Sequence, residues 1–210
     1  MGCVAVFAKP PVAGMSKTRL GRVVGHDVAA EMARALLADS VDRWRTTEHR
    51  VVLATPEPGA DHGLHGAIPA VDQGGGDLGA RIERVLRLCL AAHPWAMAVG
   101  ADAPAVLDDA VDATLSALDA GHTVLGPSDD GGFWVIGLSR CEGGLLDGLP
   151  WSAPTTFART WERLVARGHD PLAVPGAWDV DRADDLPRLA EAGRLAPRSA
   201  ALARAWLERR

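Results

Sequence analysis

The amino-acid sequence predicts an α/β fold of three layers, with helices on both faces of a mostly parallel sheet. Short apolar runs alternate with helix-patterned segments along almost the whole chain, an order typical of parallel sheets. Hydrophobic residues make up 48% of the 210 residues, so a large buried core can form. This length suits one domain over residues 1–210 better than two small ones.

The strands are predicted from apolar runs that end at proline, glycine or polar residues. These runs are residues 4–8, 50–54, 67–71, 96–100, 123–125, 133–138 and 171–174. The third run is the weakest, because it contains Pro69 and proline cannot donate to a strand ladder. Residues 55–66 are expected to form a surface loop, since they are rich in glycine and proline.

The helices are predicted from apolar residues that recur at intervals of three or four positions. They cover residues from about 27 to 44, 78–89, 111–118 and 156–167, with a final helical pair after residue 181. Asp27 is the expected N-cap of the first helix, and Gly121 is expected to close the third. Asp181 or Asp184 is the expected cap at the start of the final pair.

Charge and composition exclude several classes of protein. The formal net charge of −5 gives no general attraction to nucleic acid or to anionic lipid. No apolar run approaches the ~18 residues of a membrane span, and the N-terminus lacks the pattern of a signal peptide. Three widely spaced cysteines without a C-x-x-C motif favour a reducing cytoplasm. We therefore expect a cytoplasmic protein that neither binds nucleic acid nor inserts into a membrane.

A basic loop follows the first predicted strand, at the end of the sheet where α/β folds bind their ligands. It contains Lys9, Gly14, Lys17 and Arg19 within eleven residues. Lysine offers a compact charge to a phosphate and arginine offers a bidentate fork, so this loop is expected to bind phosphate. The alternative is a solvated basic loop. A Walker motif is absent from the sequence.

Acidic residues follow two other predicted strands. Asp102 comes directly after the run at 96–100, in a loop without lysine or arginine, and is expected to bind Mg²⁺ or Mn²⁺. Asp179 and Asp181 follow the last strand, and residues two apart in an extended segment face the same way. We expect one of this pair to complete the metal site and the other to cap a helix. The alternative for each aspartate is an ordinary turn or cap.

Two further segments indicate a second substrate. In Asp130-Gly131-Gly132 the glycines let the backbone approach a ligand, and the carboxylate can orient or deprotonate an acceptor hydroxyl. A plain turn is an equally good interpretation of this segment. Trp151 lies in a predicted loop and is expected to form an apolar wall for a substrate.

A glycine-rich run from Gly74 to Gly79 matches G-x-G-x-x-G at the start of a predicted helix. This pattern suggests a dinucleotide site, and hence an NAD-dependent oxidoreductase. Against that interpretation, the run lies in the middle of the chain rather than after the first strand. The helix N-terminus is still expected to contact a nucleotide, with Gln73, Asp77 and Arg81 beside it.

Five segments, taken together, resemble one known family. They are A-K-P-P-V-A-G-M-S-K-T-R-L, G-G-D-L-G-A-R, G-A-D-A-P, G-P-S-D-D-G-G-F-W-V-I-G-L and D-V-D-R-A-D-D-L, within residues 8–186. In this order they are similar to the bacterial radical-SAM/selenodomain-associated transferases, a family of the GT-A-type nucleotide-diphospho-sugar transferase superfamily. The family's D-G-G-Y-Y is D-G-G-F-W in this chain, which loses two hydroxyls.

The resemblance implies a Rossmann-like sheet of the GT-A type and a role for each matching charged residue. Nucleotide binding is implied for Lys9, Lys17 and Arg19, and metal binding for Asp102, with Asp179 and Asp181 as a second acidic element. Asp130 and the glycines after it would lie near the acceptor. The family is usually labelled glycosyltransferase.

Two transferase reactions agree with these residues. In glycosyl transfer, the charges hold a diphosphate leaving group while a carboxylate activates an acceptor hydroxyl. In nucleotidyl transfer they hold a triphosphate as pyrophosphate departs. The K-T-R-L loop also resembles the K-S-R-L loop of 2-phospho-lactate guanylyltransferases, and molybdenum-cofactor guanylyltransferases are related.

The whole-chain resemblance favours glycosyl transfer from a nucleotide-sugar to a small-molecule acceptor, with Lys17 and Asp130 as catalytic residues. A guanylyl- or cytidylyltransferase that uses a nucleoside triphosphate is the alternative. A nucleotide-binding module without catalysis is a third hypothesis, which ranks below both enzymes because the expected carboxylates are present.

Overall fold

The computed structural model describes residues 1–209, and seven strands form its sheet. The strands are β1 (Cys3–Phe7), β2 (Arg50–Thr55), β3 (Ala70–Asp72), β4 (Ala96–Gly100), β5 (Thr123–Pro127), β6 (Phe133–Leu138) and β7 (Pro171–Ala173). Their order across the sheet is β3-β2-β1-β4-β6-β5-β7. Only β6 runs antiparallel to its neighbours, so the mostly parallel sheet that the sequence predicts is confirmed.

Helices connect most of the strands. They are α1 (Thr18–Val24), α2 (His26–Arg45), α3 (Leu78–Leu90), α4 (Asp108–Asp119), α5 (Thr156–Ala166), α6 (Leu186–Glu191) and α7 (Pro197–Leu207), with 3₁₀ turns at Ala183–Asp185 and Gly193–Leu195. Among residues 1–209, no helix is both long enough and apolar enough to cross a membrane.

The two faces of the sheet carry separate apolar clusters, as the alternation of side chains along a strand requires. On one face Val4 and Val6 of β1 pack with residues of α2 and α4 such as Leu37 and Leu118. On the other face Cys3 and Ala5 of the same strand pack with residues of α3 and α5. The three predicted layers are therefore confirmed.

The predictions miss one helix, and two of the predicted N-caps are wrong. Helix α1 was expected to be part of the basic loop, but it begins directly after Lys17; with only seven residues it is too short to show a clear helical period. Helix α2 begins at His26, so Asp27 lies in its first turn and Gly25 precedes it. Neither Asp181 nor Asp184 caps the last pair. Instead Asp185 accepts hydrogen bonds from the backbone N–H groups of Asp181 and Arg182, at 2.8 and 2.7 Å.

The central strands bring distant loops together. Strands β1 and β4 are parallel neighbours, with Phe7 opposite Gly100, so the basic loop and the loop of Asp102 leave the sheet side by side. The backbone N–H of Val180 donates to the carbonyl of Asp102 at 2.9 Å, which brings the segment after β7 to the same edge.

Candidate active site

A cavity of about 770 Å³ opens at the carboxyl ends of β1 and β4 and extends to the start of α3. This volume lies in the range of small-molecule sites. Nine of the residues singled out in the sequence line it: Lys9, Lys17, Arg19, Gln73, Asp77, Arg81, Asp102, Trp151 and Asp181. The other five do not appear in its lining: Gly14, Asp130, Gly131, Gly132 and Asp179.

The ammonium group of Lys17, in the lining of this cavity, is bonded to other groups of the protein. Its ammonium nitrogen lies 2.6 Å from the carbonyl oxygen of Val180, 2.8 Å from Asp102 Oδ1 and 3.3 Å from Asp181 Oδ1. The Lys17 side chain is 6% exposed, whereas those of Asp102 and Asp181 are 53% and 47% exposed. The three oxygens saturate the three N–H donors of the ammonium. The carbonyl of Val180 is a partner that no residue pattern could have indicated.

Lys17 is expected to stay protonated although its side chain is buried. Burial by itself lowers the pKa of the ammonium, but the carboxylates of Asp102 and Asp181 outweigh that effect, so the pKa of Lys17 is raised. Its backbone is left-handed, with φ 48° and ψ 44°, directly before the first residue of α1. This conformation is costly for a residue with a side chain, and such outliers concentrate at functional sites.

The other basic residues of the cavity differ in how far they are paired. Arg19 lies 3.4 Å from Asp181 Oδ2. Arg81 donates from Nε to the carbonyl of Asp77 at 3.2 Å, and within residues 1–209 it pairs with no carboxylate. Lys9 is exposed and has neither a hydrogen bond nor an ion pair to any described residue. The cavity therefore holds two cations that are available to an anionic ligand.

Asp179 stands apart from the Lys17 cluster. Its Oδ2 accepts a hydrogen bond from the hydroxyl of Ser128 at 2.9 Å. Burial raises the pKa of Asp179 to about 6; the Ser128 bond opposes this rise, and the charges of Asp102 and Asp130 add to it. Asp179 and Asp181 are only two residues apart in sequence, yet their carboxylates bond to different partners.

The acidic residues do not form a three-carboxylate metal site. Aspartate oxygens have the right chemistry for Mg²⁺ or Mn²⁺. In the part of the chain that the structure describes, however, no group of three histidine, cysteine, aspartate or glutamate side chains is placed to hold a metal ion. The position between Asp102 and Asp181 is taken by the ammonium of Lys17.

The Asp130-Gly131-Gly132 segment forms a turn. Asp130 Oδ1 accepts the backbone N–H of Gly132 at 2.9 Å, and Gly131 has φ 86°. A Cβ atom at Gly131 would lie 2.3 Å from the carbonyl oxygen of Pro154, so these glycines pack the turn against a neighbouring loop. The geometry agrees with the turn interpretation that the sequence left open.

The glycine-rich run lies after β3, at the edge of the sheet. In a dinucleotide fold this turn follows the first, central strand, so the arrangement does not match the NAD hypothesis. Asp77 caps α3 by accepting the backbone N–H of Ala80 at 2.9 Å. Gln73 is buried, and its side chain donates to the carbonyl of Ala54 at 2.7 Å.

One wall of the cavity is apolar and comes from the loop before α5. Trp151 meets Phe133 edge to face, with ring centroids 6.1 Å apart, and packs over Gly79 at the start of α3. The buried carboxylate of Glu83, one turn further along α3, accepts the backbone N–H groups of Gly144 and Leu146. Helix α3 therefore positions both the Arg81 side of the cavity and its aromatic wall.

Comparison with protein families gives one match. A family model described as "Uncharacterized protein conserved in bacteria (DUF2064)" matches residues 36–153. These residues include Gln73, Arg81 and Asp102, whereas Lys17 and Asp181 lie outside them. No curated protein sequence matches the chain.

Solved structures share the fold over nearly the whole chain. A Desulfovibrio desulfuricans G20 protein, provisionally described as a nucleotide-diphospho-sugar transferase, has a TM-score of 0.83 and 26% identity, and the match covers 98% of this chain and 99% of that one. The 2-C-methyl-D-erythritol 4-phosphate cytidylyltransferase of Thermus thermophilus has a TM-score of 0.54 and 20% identity, covering 97% and 100%. Rv0371C of Mycobacterium tuberculosis H37Rv, in complex with manganese, has a TM-score of 0.54 and 18% identity, covering 90% and 97%.

Proposed function

We propose that this chain, which belongs to the bacterial family DUF2064, is a transferase that moves a glycosyl group from a nucleotide-diphospho-sugar to a small-molecule acceptor. The observation that carries the proposal is the pair of cations without carboxylate partners, Lys9 and Arg81, in a cavity with an aromatic wall. The similarity to the provisionally described nucleotide-diphospho-sugar transferase supports it. So does the resemblance to the radical-SAM-associated transferases.

In this proposal the free cations bind the diphosphate. Lys9 and Arg81 stabilise the negative charge that grows on the diphosphate as the glycosyl bond breaks. Gln73 and the first turn of α3 lie on the same side of the cavity and are assigned to the rest of the nucleotide. Asp77 already caps α3, so its proposed contact with the nucleotide is secondary to that bond.

The acceptor is assigned to the rest of the cavity lining. Trp151 offers apolar surface, and the half-exposed carboxylates of Asp102 and Asp181 can accept hydrogen bonds from an acceptor hydroxyl. Asp130 is retained as the proposed general base, although it lies outside the cavity lining. The proposal also includes a requirement for Mg²⁺ or Mn²⁺. Binding of the diphosphate and activation of the acceptor are assigned to residues of the chain itself.

Nucleotidyl transfer is the second candidate. A basic loop with Lys9, Lys17 and Arg19 carries more positive charge than a diphosphate needs, which favours a triphosphate substrate. The Thermus enzyme is a cytidylyltransferase by name, and another structural neighbour was solved in complex with CTP. In this reaction an acceptor oxygen attacks the α-phosphorus and pyrophosphate leaves.

Binding and product analysis distinguish the candidates. Nucleotide-sugars, nucleoside triphosphates and NAD are each added with and without Mn²⁺, and thermal unfolding is measured. A ligand at about 100 times its Kd adds about 2.7 kcal/mol to the free energy of unfolding. The bound donor is then incubated with pooled small-molecule acceptors. Release of a nucleoside diphosphate supports glycosyl transfer, and release of pyrophosphate supports nucleotidyl transfer.

A matched variant controls for unspecific stabilisation. The double variant Lys9→Ala, Arg81→Ala removes the two free cations and should lose most of the ligand-induced shift, because the other cations of the lining, Lys17 and Arg19, are paired with carboxylates. Stabilisation by NAD alone, or an equal shift in the double variant, would contradict the proposal.

A further inference from the structure

We propose that Lys17 is an internal counter-ion that occupies the cation position between Asp102 and Asp181, so that a divalent metal ion binds there only when the ammonium moves away. Among residues 1–209 no group of three histidine, cysteine, aspartate or glutamate side chains is placed to hold a metal ion, and the ammonium of Lys17 contacts both Asp102 and Asp181. It rests on the proposed function only where it links the metal ion to the nucleotide.

The bonds of Lys17 are those of a cation held in a site. Its ammonium has three oxygen partners within 3.3 Å, and two of them are carboxylate oxygens from segments far apart in sequence. A hard divalent ion is bound by the same type of donor atoms. Because the ammonium already uses one oxygen of each carboxylate, a metal ion at this position and Lys17 exclude each other.

Charge balance gives the same result. Lys17 and Arg19 contribute two positive charges, and Asp102 and Asp181 contribute two negative ones, so the four groups that contact one another have no net charge. Asp179 is near enough to interact with Asp102 and Lys17, but it bonds to Ser128. A metal ion beside the ammonium would also meet a like charge a few ångströms away. Removal of the ammonium leaves a net negative cluster with half-exposed carboxylates.

The segment that carries Lys17 has features that suit a displacement. Lys17 is one of two non-glycine residues with a positive φ among residues 1–209; the other, Ser152, also lines the cavity. Gly14 has φ 77°, and the neighbouring Val12 and Met15 are exposed. Residues 12–15 are therefore loosely held between the buried Pro11 and Ser16, and Lys17 follows them in a costly left-handed conformation.

Displacement of Lys17 would couple the two ligands. Its ammonium leaves a pair of carboxylates and can join Lys9, on the same loop, at the phosphates of a nucleotide. A nucleotide that attracts Lys17 then makes room for the metal ion, and the metal ion makes Lys17 available to the nucleotide. Such coupling is reciprocal, since each ligand raises the affinity of the other by the same factor.

The first test measures Mn²⁺ binding without any nucleotide, by the loss of the free-ion signal in electron paramagnetic resonance. We compare the unmodified protein, Lys17→Met and Lys9→Met. Lys9 and Lys17 are the only lysines in the sequence, so Lys9→Met is the matched control. Lys17→Met should bind Mn²⁺ about tenfold tighter or more, because a neighbouring unit charge is removed, and Lys9→Met should be unchanged. Equal or weaker binding by Lys17→Met overturns the proposal.

The second test needs no variant and covers the case in which Lys17→Met fails to fold. The unmodified protein is treated with an acetylating N-hydroxysuccinimide ester, and acetylation of each lysine is followed by mass spectrometry. Lys9 should react quickly and Lys17 slowly; saturating Mn²⁺ should accelerate Lys17 at least severalfold and leave Lys9 unchanged. If Lys17 reacts slowly and Mn²⁺ does not change its rate of acetylation, the proposal is overturned. Both tests omit the donor, so a failed transferase assay does not affect their outcome.

Discussion

Lys9 and Lys17 lie on the same loop and line the same cavity, yet their surroundings are opposite. Lys17 is buried and bonded to three oxygens, two of them from carboxylates. Lys9 is exposed and has no partner within residues 1–209. The arginines divide in the same way: Arg19 lies beside Asp181, whereas the Arg81 side chain bonds only to the carbonyl of Asp77, the N-cap of its own helix. What a basic residue can do for a ligand depends on the carboxylates around it.

This difference separates two roles that the sequence motif assigns to all of its basic residues alike. A lysine that is already neutralised by two aspartates contributes little attraction for a phosphate until those bonds break. An exposed, unpaired cation contributes its full charge at once. In our proposal Lys9 and Arg81 therefore make the first phosphate contacts, and Lys17 is the residue whose partners change on binding.

The largest expected effect comes from Arg81→Ala. Loss of a charged hydrogen-bond donor to a phosphate should weaken nucleotide binding by about 10- to 100-fold, since such bonds contribute about 1.5–3 kcal/mol. Isothermal titration calorimetry with the donor found in the ligand screen measures the change. Arg87→Ala is the control: Arg87 is on the same helix, is exposed and lies outside the cavity lining. If both variants bind alike, the division between paired and free cations is wrong.

Much of the cavity could be predicted because strand order follows from general rules. A βαβ chain with a parallel sheet places the ends of its strands at one edge, so Lys17, Asp102 and Asp181 were expected to meet there. The pairing of Phe7 with Gly100 and the bond from Val180 to Asp102 produce that meeting. Trp151, for which the sequence predicts a substrate wall, lines the same cavity.

The errors arise where partners are backbone atoms or where elements are short. The carbonyl of Val180, which binds Lys17, has no signature in a residue pattern. Helix α1 is hidden because seven residues give less than two full helical repeats. The helix cap falls on Asp185 rather than on Asp181 or Asp184, because several aspartates in a row satisfy the same rule equally well.

A second, smaller effect tests how the free-cation side is held in place. Gly79 lies where α3 meets the loop of Trp151, and a Cβ atom there would be 2.7 Å from the carbonyl oxygen of Leu146 and 2.8 Å from Trp151 Cζ2. Gly79→Ala should therefore destabilise the protein by roughly 1–3 kcal/mol, as overpacking usually does. Urea unfolding measures this change. The Gly79→Ala substitution should also weaken nucleotide binding, if the position of Arg81 depends on the packing of α3 against this loop.

Gly75 offers a matched control for that substitution. It lies in the same glycine-rich run, and a Cβ atom there would meet nothing within 4 Å. Gly75→Ala should leave the free energy of unfolding nearly unchanged. Equal losses in the two variants would mean that the run itself, rather than the contact with Trp151, limits stability.

The smallest effect concerns His169, a second buried titratable group far from the Lys17 cluster in sequence. Its side chain is 2% exposed, with Thr123 Oγ1 3.1 Å from Nδ1 and Glu142 Oε2 3.3 Å from Nε2. Burial lowers the pKa of His169 and the charge of Arg140 lowers it further, while Glu142 opposes them. Lys17 has two carboxylates and stays charged, whereas His169 has one carboxylate beside an arginine and resists protonation.

The sign of the pH dependence follows from that lowered pKa. Below the ordinary value of 6.5 the unfolded chain binds the proton more readily than the folded one, so stability is full above 6.5 and falls as pH drops toward the folded-state pKa. The free energy of unfolding is measured in urea at about pH 7.5 and about pH 5.5, on either side of the ordinary histidine pKa. For the unmodified protein it should be lower at the lower pH. His169→Gln cannot take up the proton and should lose less over the same interval. If the two proteins lose the same amount, other groups account for the change, and burial without adequate acidic partners is not what distinguishes His169 from Lys17.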